Sequence, residues 1–328
     1  VANVGVIGLG NWGTALAEHL ARAGHTVIGW DRESSVVSGV KNNHLNPIAL
    51  TDIELHHNLD ATYDINEAAA QPFVILVVSS SAMTSVLKSL KMKPGSVLVS
   101  AIKGLDSETL ETPIQVASRI LSNDISLACL SGPSFARDVI ADKPCSVVAA
   151  SADEKVARSV AELFTARQFR AYTSTDTLGV ELGGVLKNVI AVAAGAADGL
   201  ELGDSARMAV MTRGLHEITR LAVAMGAKER TLSGLSGMGD LMMTASSTLS
   251  RNRTVGFKLG QGERLESILN SLGSVAEGVR TAEIVEKLSI RYKVEMPISE
   301  RVLKLIRGIM TPEELLRDLL ARPIKSEF

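Results

Sequence analysis

Within its first 31 residues the chain writes an apolar run, Val4-Gly5-Val6-Ile7, then Gly8-Leu9-Gly10-Asn11-Trp12-Gly13, then an apolar-periodic stretch over 14–23, then Thr26-Val27-Ile28-Gly29-Trp30-Asp31. This order, strand, glycine turn, helix, strand and acid, fixes a βαβ unit with a right-handed crossover. Each glycine has its own task in such a unit. Gly8 makes the tight turn, Gly10 lets the backbone approach a pyrophosphate, and Gly13 lets helix and strand pack closely. The exposed N–H groups and positive dipole end of the helix favour an anion, and Asp31, about 20 residues on, is placed to accept from a ribose 2′-hydroxyl. A dinucleotide is the expected ligand. Asp31 repels a 2′-phosphate and points to NAD, whereas Arg32 beside it would bind that phosphate and point to NADP; the residues leave both open.

Further short apolar runs follow at 73–78, 96–99, 125–130, 146–149 and 169–173, separated by helical patterns at 82–90 and 109–121. Ser151-Ala152-Asp153-Glu154 reads as a capping box. The alternation predicts an α/β fold, an N-terminal Rossmann-like doubly wound parallel sheet. From Asp176 the pattern changes. Helical periods at 177–198, 206–225, 254–260, 264–272, 277–289, 297–307 and 312–320 predict an all-α C-terminal domain with Gly/Ser loops at 233–240 and 245–251. The expected domains are therefore 1–176, binding the dinucleotide, and 177–328, binding substrate, a division that 328 residues make natural.

Charge and cysteine content exclude several classes of partner. A net charge of −2 and a pI near 6.4 offer no global attraction to nucleic acid or anionic membranes. Cys129 and Cys145 lie in apolar stretches without C-x-x-C spacing or histidine neighbours, which argues for buried thiols in a reducing compartment and against a zinc site. No metal site is expected. No basic segment precedes an apolar run at the start, and uncharged stretches such as 189–197 are too short to span a bilayer, so a cytoplasmic protein without membrane insertion is expected.

Ligands of open α/β sheets bind beyond the carboxyl ends of the strands. There, Lys103 follows the run at 96–99 and would meet a phosphate or a developing oxyanion, or stand in a solvated loop. Gly132 and Ser134 follow the run at 125–130 and would offer an N–H and a hydroxyl, or simply shape a turn. In the helical half, Lys187 interrupts an apolar face, with Gly183 and Gly184 one turn before it and Ala191 one turn after. Such bare surroundings admit a ligand or a tightly packed helix, with the lysine then snorkelling. Acid–base work by this amine would call for a pKa lowered from about 10.4 by burial or by another cation, although an ammonium alone already stabilises an alkoxide. Asp240 would orient it or cap a helix. Ser250-Arg251-Asn252-Arg253 brings together donors that match a phosphate, and would otherwise be a solvated run. His56 and His57 lack partners for chemistry, and His19 and His216 fall on helices.

Seven stretches taken in order, Gly8 to Ala17, Lys103-Gly104-Leu105, Ser131 to Ala136, Gly183 to Val189, Gly239-Asp240-Leu241, Ser250 to Arg253 and Val275-Ala276-Glu277-Gly278, cover nearly the whole chain. Together they resemble the NAD(P)-dependent glycerol-3-phosphate dehydrogenases of bacterial type. The resemblance implies interconversion of dihydroxyacetone phosphate and sn-glycerol 3-phosphate, a precursor of glycerophospholipids. It implies Lys187 as acid/base with Lys103 and Asp240 beside it, and substrate contacts from Gly132, Ser134, Ser250, Arg251 and Asn252. It also implies cofactor contacts from Asn11, Trp12, Arg32, Lys103, Ala136, Arg251, Val275 and Glu277. Asn11 and Ser134 stand where many relatives carry serine and threonine, and Asp31-Arg32 differs from a histidine-containing form in some NADPH users. A homodimer is expected from the apolar helices. Two other readings compete: a β-hydroxyacid or 6-phosphogluconate dehydrogenase, whose substrates carry a carboxylate, and a cofactor-sensing module without turnover, against which Lys103, Lys187 and Asp240 together argue.

Overall fold

The computed structural model describes residues 1–272 and 276–321, and the chain divides into two compact units, Val1–Glu181 and Leu182–Phe328. The first holds eight strands: β1 (Asn3–Ile7), β2 (Thr26–Trp30), β3 (Leu59–Thr62), β4 (Phe73–Leu76), β5 (Val97–Ser100), β6 (Ser126–Ser131), β7 (Cys145–Ala150) and β8 (Phe169–Ser174). They form one sheet in the order β3-β2-β1-β4-β5-β6-β7-β8. Chain order reverses beside β1, and this switch point opens the crevice beyond the carboxyl ends of β1 and β4.

Both faces of the sheet are covered, as the unbroken apolar runs require. Val4, Val6, Ile75 and Val99 point into one cluster with Leu16, Leu20, Val37 and Phe164. Ile7, Val74, Leu76 and Leu98 point into the other, with Met83, Leu87 and Val116. The sheet departs from the expected all-parallel form at one place: β7 pairs antiparallel with β6, and β8 then pairs parallel with β7. The connection between β6 and β7 holds only the short helix Ala136–Ile140.

Three features are hidden from sequence periodicity. β3 carries Asp60 among its four residues and sits at the sheet edge, so no apolar run marks it. Helices Ser34–Asn43 and Ile65–Ala69 are short or polar. The expected capping box at Ser151 does not form. Asp153 is the N-cap, accepting from Lys155 N, while the Ser151 hydroxyl donates to Leu127 O.

Among the described residues the second unit is helical throughout. Its centre is the helix Thr177–Gly199, most of which lies in this unit. At 23 residues and a mean hydropathy of 1.4 it is long and apolar enough to cross a bilayer, which the stretch 189–197 did not suggest; its apolar window is wholly buried in the protein. The expected loop at 233–240 is instead a π-helical turn, Leu235–Gly239, running directly into helix Asp240–Ser246. Helices Gly203–Ala224, Arg251–Gly260, Leu265–Leu272, Glu277–Tyr292, Pro297–Ile306 and Pro312–Leu320 complete the unit. Both prolines take the first helical position, where a missing N–H costs nothing.

Candidate active site

In the first unit, the turn after β1 is shaped for a phosphate. Gly8 has φ +100°, and a Cβ there would lie 2.9 Å from Val77 O. A Cβ on Gly13 would lie within covalent range of Gly8 O, so helix Asn11–Arg22 can approach the strand only without one. Gly10 is the opposite case: nothing lies within 4 Å of a Cβ placed there. It occupies the N-cap without offering a side chain, and no acidic residue stands in the first turn, so the positive helix end faces open space. Trp12 packs on the core while its buried indole N–H has no hydrogen-bond partner. An open cradle, a helix N-terminus and an orphaned donor fit a pyrophosphate.

The turn is braced from both sides. Asp31 Oδ2 accepts from Leu9 N at 2.7 Å, and its Oδ1 accepts from Glu33 N at 3.0 Å. At the next peptide, Leu9 O accepts from the Asn46 amide and the Thr14 hydroxyl, each at 2.8 Å. Asn46 also donates to Thr14 Oγ1 and accepts from Ile48 N and Ala49 N. Sequence reasoning missed Asn46, because only the fold brings a residue 32 positions away onto Thr14. Arg32 is exposed, its Nε 3.1 Å from Glu33 Oε1.

At the ends of β5 and β6, Lys103 Nζ donates to Gly132 O at 3.2 Å, and Ser134 Oγ donates to the same oxygen at 3.1 Å. Gly132 has φ +149°, and a Cβ there would meet the Val147 backbone at 2.8 Å, so the position admits only glycine. Lys103, Gly132 and Ser134 are thus together, and Ala136 opens the next short helix. Cys129 is buried in β6, and burial pushes its thiol well above the usual range. Cys145 is only half-buried, contrary to the expectation for both thiols, and burial still raises it to about 11.

In the second unit, Lys187 does not snorkel; its side chain is 5% exposed. Its Nζ donates to Asp240 Oδ1 and to Thr244 Oγ1, each at 2.5 Å. The backbone explains the meeting. A Cβ on Gly183 would lie 2.7 Å from Ser236 O, so the bare helix surface before Lys187 is where the π-turn rests, and that turn delivers Asp240 to the amine. Asp240 caps no helix with its side chain. Amine and carboxylate meet as a buried ion pair, and that pair defines this centre. Thr244, not singled out from sequence, stands four residues after Asp240 and therefore on the same helix face, a spacing that would have revealed it.

Helix Arg251–Gly260 is seated against the lysine helix through glycines on both surfaces: Cβ atoms on Gly195, Gly199 and Gly256 would each fall about 2 Å from backbone oxygens of the other helix. This seam sets the helix N-terminus beside Asn188. Ser250 is its N-cap, accepting from Arg253 N. Asn252 donates to Asn188 Oδ1 at 2.8 Å and accepts from Gly278 N at 2.9 Å, tying in the start of helix Glu277–Tyr292. Arg251 is exposed at the first helical position. Arg253 points elsewhere: with Arg207 it clamps the mostly buried Asp198. The four-residue run therefore divides into Ser250 to Asn252, gathered at the helix start, and a structural cation, Arg253. Val275, expected at the cofactor, lies outside the described residues. Among the described residues no group of three or more His, Cys, Asp or Glu converges as metal ligands would.

These features define a Rossmann-type dinucleotide unit and a helical unit carrying a buried lysine–aspartate pair. Comparison with known proteins is specific. Residues 3–157 match the model of the NAD-dependent glycerol-3-phosphate dehydrogenase N-terminus, and residues 176–317 match that of its C-terminus. A glycerol-3-phosphate dehydrogenase [NAD(P)+] of Geobacter sulfurreducens is 47% identical, with 99% of this chain and 98% of that protein covered. One from Stenotrophomonas maltophilia is 43% identical over 99% and 96%. The crystal structure of glycerol-3-phosphate dehydrogenase from Coxiella burnetii is similar with a TM-score of 0.92 at 33% identity, covering 98% of this chain and 99% of that one. The chain belongs to the NAD-dependent glycerol-3-phosphate dehydrogenase family.

Proposed function

We propose that this chain interconverts dihydroxyacetone phosphate and sn-glycerol 3-phosphate, with Lys187 as the acid/base. Family membership and the named activity of its relatives support the reaction. The observation that carries the residue assignment is the buried Lys187–Asp240–Thr244 cluster. A charged amine with 5% exposure needs a reason to be there, and an alkoxide forming on a ketone oxygen is one.

When bound, a reduced nicotinamide supplies the hydride that the carbonyl carbon takes up. The protein's part is to meet the charge and provide the proton. Asp240 and Thr244 both accept from Lys187 Nζ and thereby fix where the amine sits. Set against the ketone oxygen, the ammonium stabilises charge present mainly in the transition state and then transfers a proton. In the reverse direction the neutral amine takes the hydroxyl proton, and the Asp240 carboxylate stabilises the ammonium formed. Lys103, with Gly132 and Ser134, supplies a second polar cluster for substrate and cofactor.

The substrate phosphate belongs at the start of helix Arg251–Gly260. Arg251 offers a guanidinium fork, Ser250 its hydroxyl proton, and Asn252 the amide hydrogen not spent on Asn188. Binding energy taken from that remote group holds the reacting carbon in place. Asn11, Trp12, Gly8, Gly10 and Gly13 serve the pyrophosphate, Asp31 and Arg32 the adenine ribose, and Ala136 and Glu277 the rest of the cofactor. The same reading includes a homodimer and a cytoplasmic role in supplying glycerol 3-phosphate for phospholipids. Exposed Met208, Val223 and Met242 support the former, and free Cys129 and Cys145 the latter.

The deciding experiment is turnover of dihydroxyacetone phosphate by the purified protein and by Lys187→Ala, with cofactor affinity measured in parallel. We expect turnover to vanish in the variant while cofactor affinity stays close to that of the parent. Substantial residual kcat would remove the lysine from its role.

A further inference from the structure

The adenine-ribose end of the dinucleotide site carries three charges in a row, Asp31, Arg32 and Glu33, and the structure distinguishes what each can do. In sequence, Asp31 and Arg32 pull toward different cofactors. In space they are not equivalent. The Asp31 carboxylate is part of the framework, since its Oδ2 holds Leu9 N and its Oδ1 holds Glu33 N. Leu9 in turn cannot rotate to release it, because Leu9 O is held by the buried Asn46 amide and by Thr14. An incoming 2′-phosphate therefore cannot displace this carboxylate by a change of rotamer without breaking the brace of the phosphate turn itself.

Arg32 is the group that would offset the repulsion, and Glu33 competes for it. The guanidinium Nε lies 3.1 Å from Glu33 Oε1, with side chains 81% and 53% exposed. An exposed pair of this kind is weak, so a phosphate would recruit Arg32 readily. Recruitment nevertheless leaves Glu33 unpaired two residues from Asp31, and the three side chains sum to one negative charge. A ribose 2′-hydroxyl asks nothing of this kind: Asp31 accepts its hydrogen with a remaining lone pair.

From this geometry we propose that the chain selects NADH over NADPH, with the braced Asp31 as the discriminating group and Glu33 as the residue that keeps Arg32 from reversing the choice. The proposal rests on the reading of the first unit as a dinucleotide site. A phosphate dianion in contact with one fixed carboxylate, even at the dielectric of water, corresponds to about tenfold or more in affinity.

The test is calorimetric titration of the full chain with NADH and with NADPH, accompanied by kcat/KM for each with dihydroxyacetone phosphate. Parent protein is expected to bind NADH about tenfold or more tightly, and Glu33→Ala is expected to narrow that ratio severalfold by freeing Arg32. Equal affinities, or tighter NADPH binding, would overturn the proposal. A parent preference for NADH that Glu33→Ala leaves unmoved would strike out Glu33 and leave Asp31 alone responsible. Failure of both nucleotides to bind would instead refute the underlying reading of the site.

Discussion

Removing Asp240 tests whether Lys187 sits in a desolvated centre. Asp240→Ala would leave an ammonium whose side chain is 5% exposed facing a cavity, with the Thr244 hydroxyl still beside it. Breaking a buried pair from one side costs about 3–5 kcal/mol, because the surviving charge loses its compensation. At about 2–4 °C per kcal/mol for a unit of this size, the second unit should melt roughly 6–20 °C lower. Lys187→Met should destabilise in the same way by stranding the carboxylate. The double variant Lys187→Met/Asp240→Leu removes both charges and fills similar volume, so it should recover most of the loss, less about 1 kcal/mol for the Thr244 hydroxyl left behind. The assay is differential scanning calorimetry of the four proteins, with turnover measured on each. Recovered stability without recovered turnover is the expected signature. If Asp240→Ala melts within about 1 °C of the parent, the amine is solvated and the reasoning from burial to catalysis falls.

Three more outcomes follow from the geometry. Gly13→Ala should abolish dinucleotide binding, since its methyl would overlap Gly8 O, and tight NADH binding by a folded variant would contradict the account of the turn. Arg251→Ala should weaken dihydroxyacetone phosphate far more than free dihydroxyacetone; equal losses in KM would reject the phosphate assignment. Glu181, which receives the Ile114 N–H at the start of helix Pro113–Ile120, is raised to about 8 by burial, against hydrogen bonds from Thr112 and Ile114. A carboxyl raised on folding binds more protons folded than unfolded between about 4.5 and 8, so its contribution is full below that window and lost as pH rises through it. Urea unfolding at a series of pH values should show a decline on the order of a few kcal/mol across the window, absent in Glu181→Gln; parallel curves for the two proteins would show that Glu181 does not titrate there.

The βαβ opening was legible because three glycines and an acid each answer to a distinct local constraint, and the apolar runs of β4 to β6 are long enough to stand out from their surroundings. The edge strand β3 was not, since it is only four residues long and Asp60 breaks any pattern. The turn from parallel to antiparallel at β7 was equally hidden, because strand direction leaves no mark on the apolar run itself. At the site, Lys187 stood out as a charge on a bare apolar face, but nothing local revealed that the bareness serves the π-turn carrying Asp240. Arg253 shows the converse. A motif read as four phosphate donors contains one whose partner, Asp198, lies 55 residues away.

The glycine seam between Thr177–Gly199 and Arg251–Gly260 has a consequence for evolution and engineering. Where Gly195, Gly199 and Gly256 touch the opposing main chain, no side chain is available to shim the helices apart or draw them together. The span from the start of helix Arg251–Gly260 to the amine is therefore gauged by peptide backbone, and changing that span means rebuilding the seam.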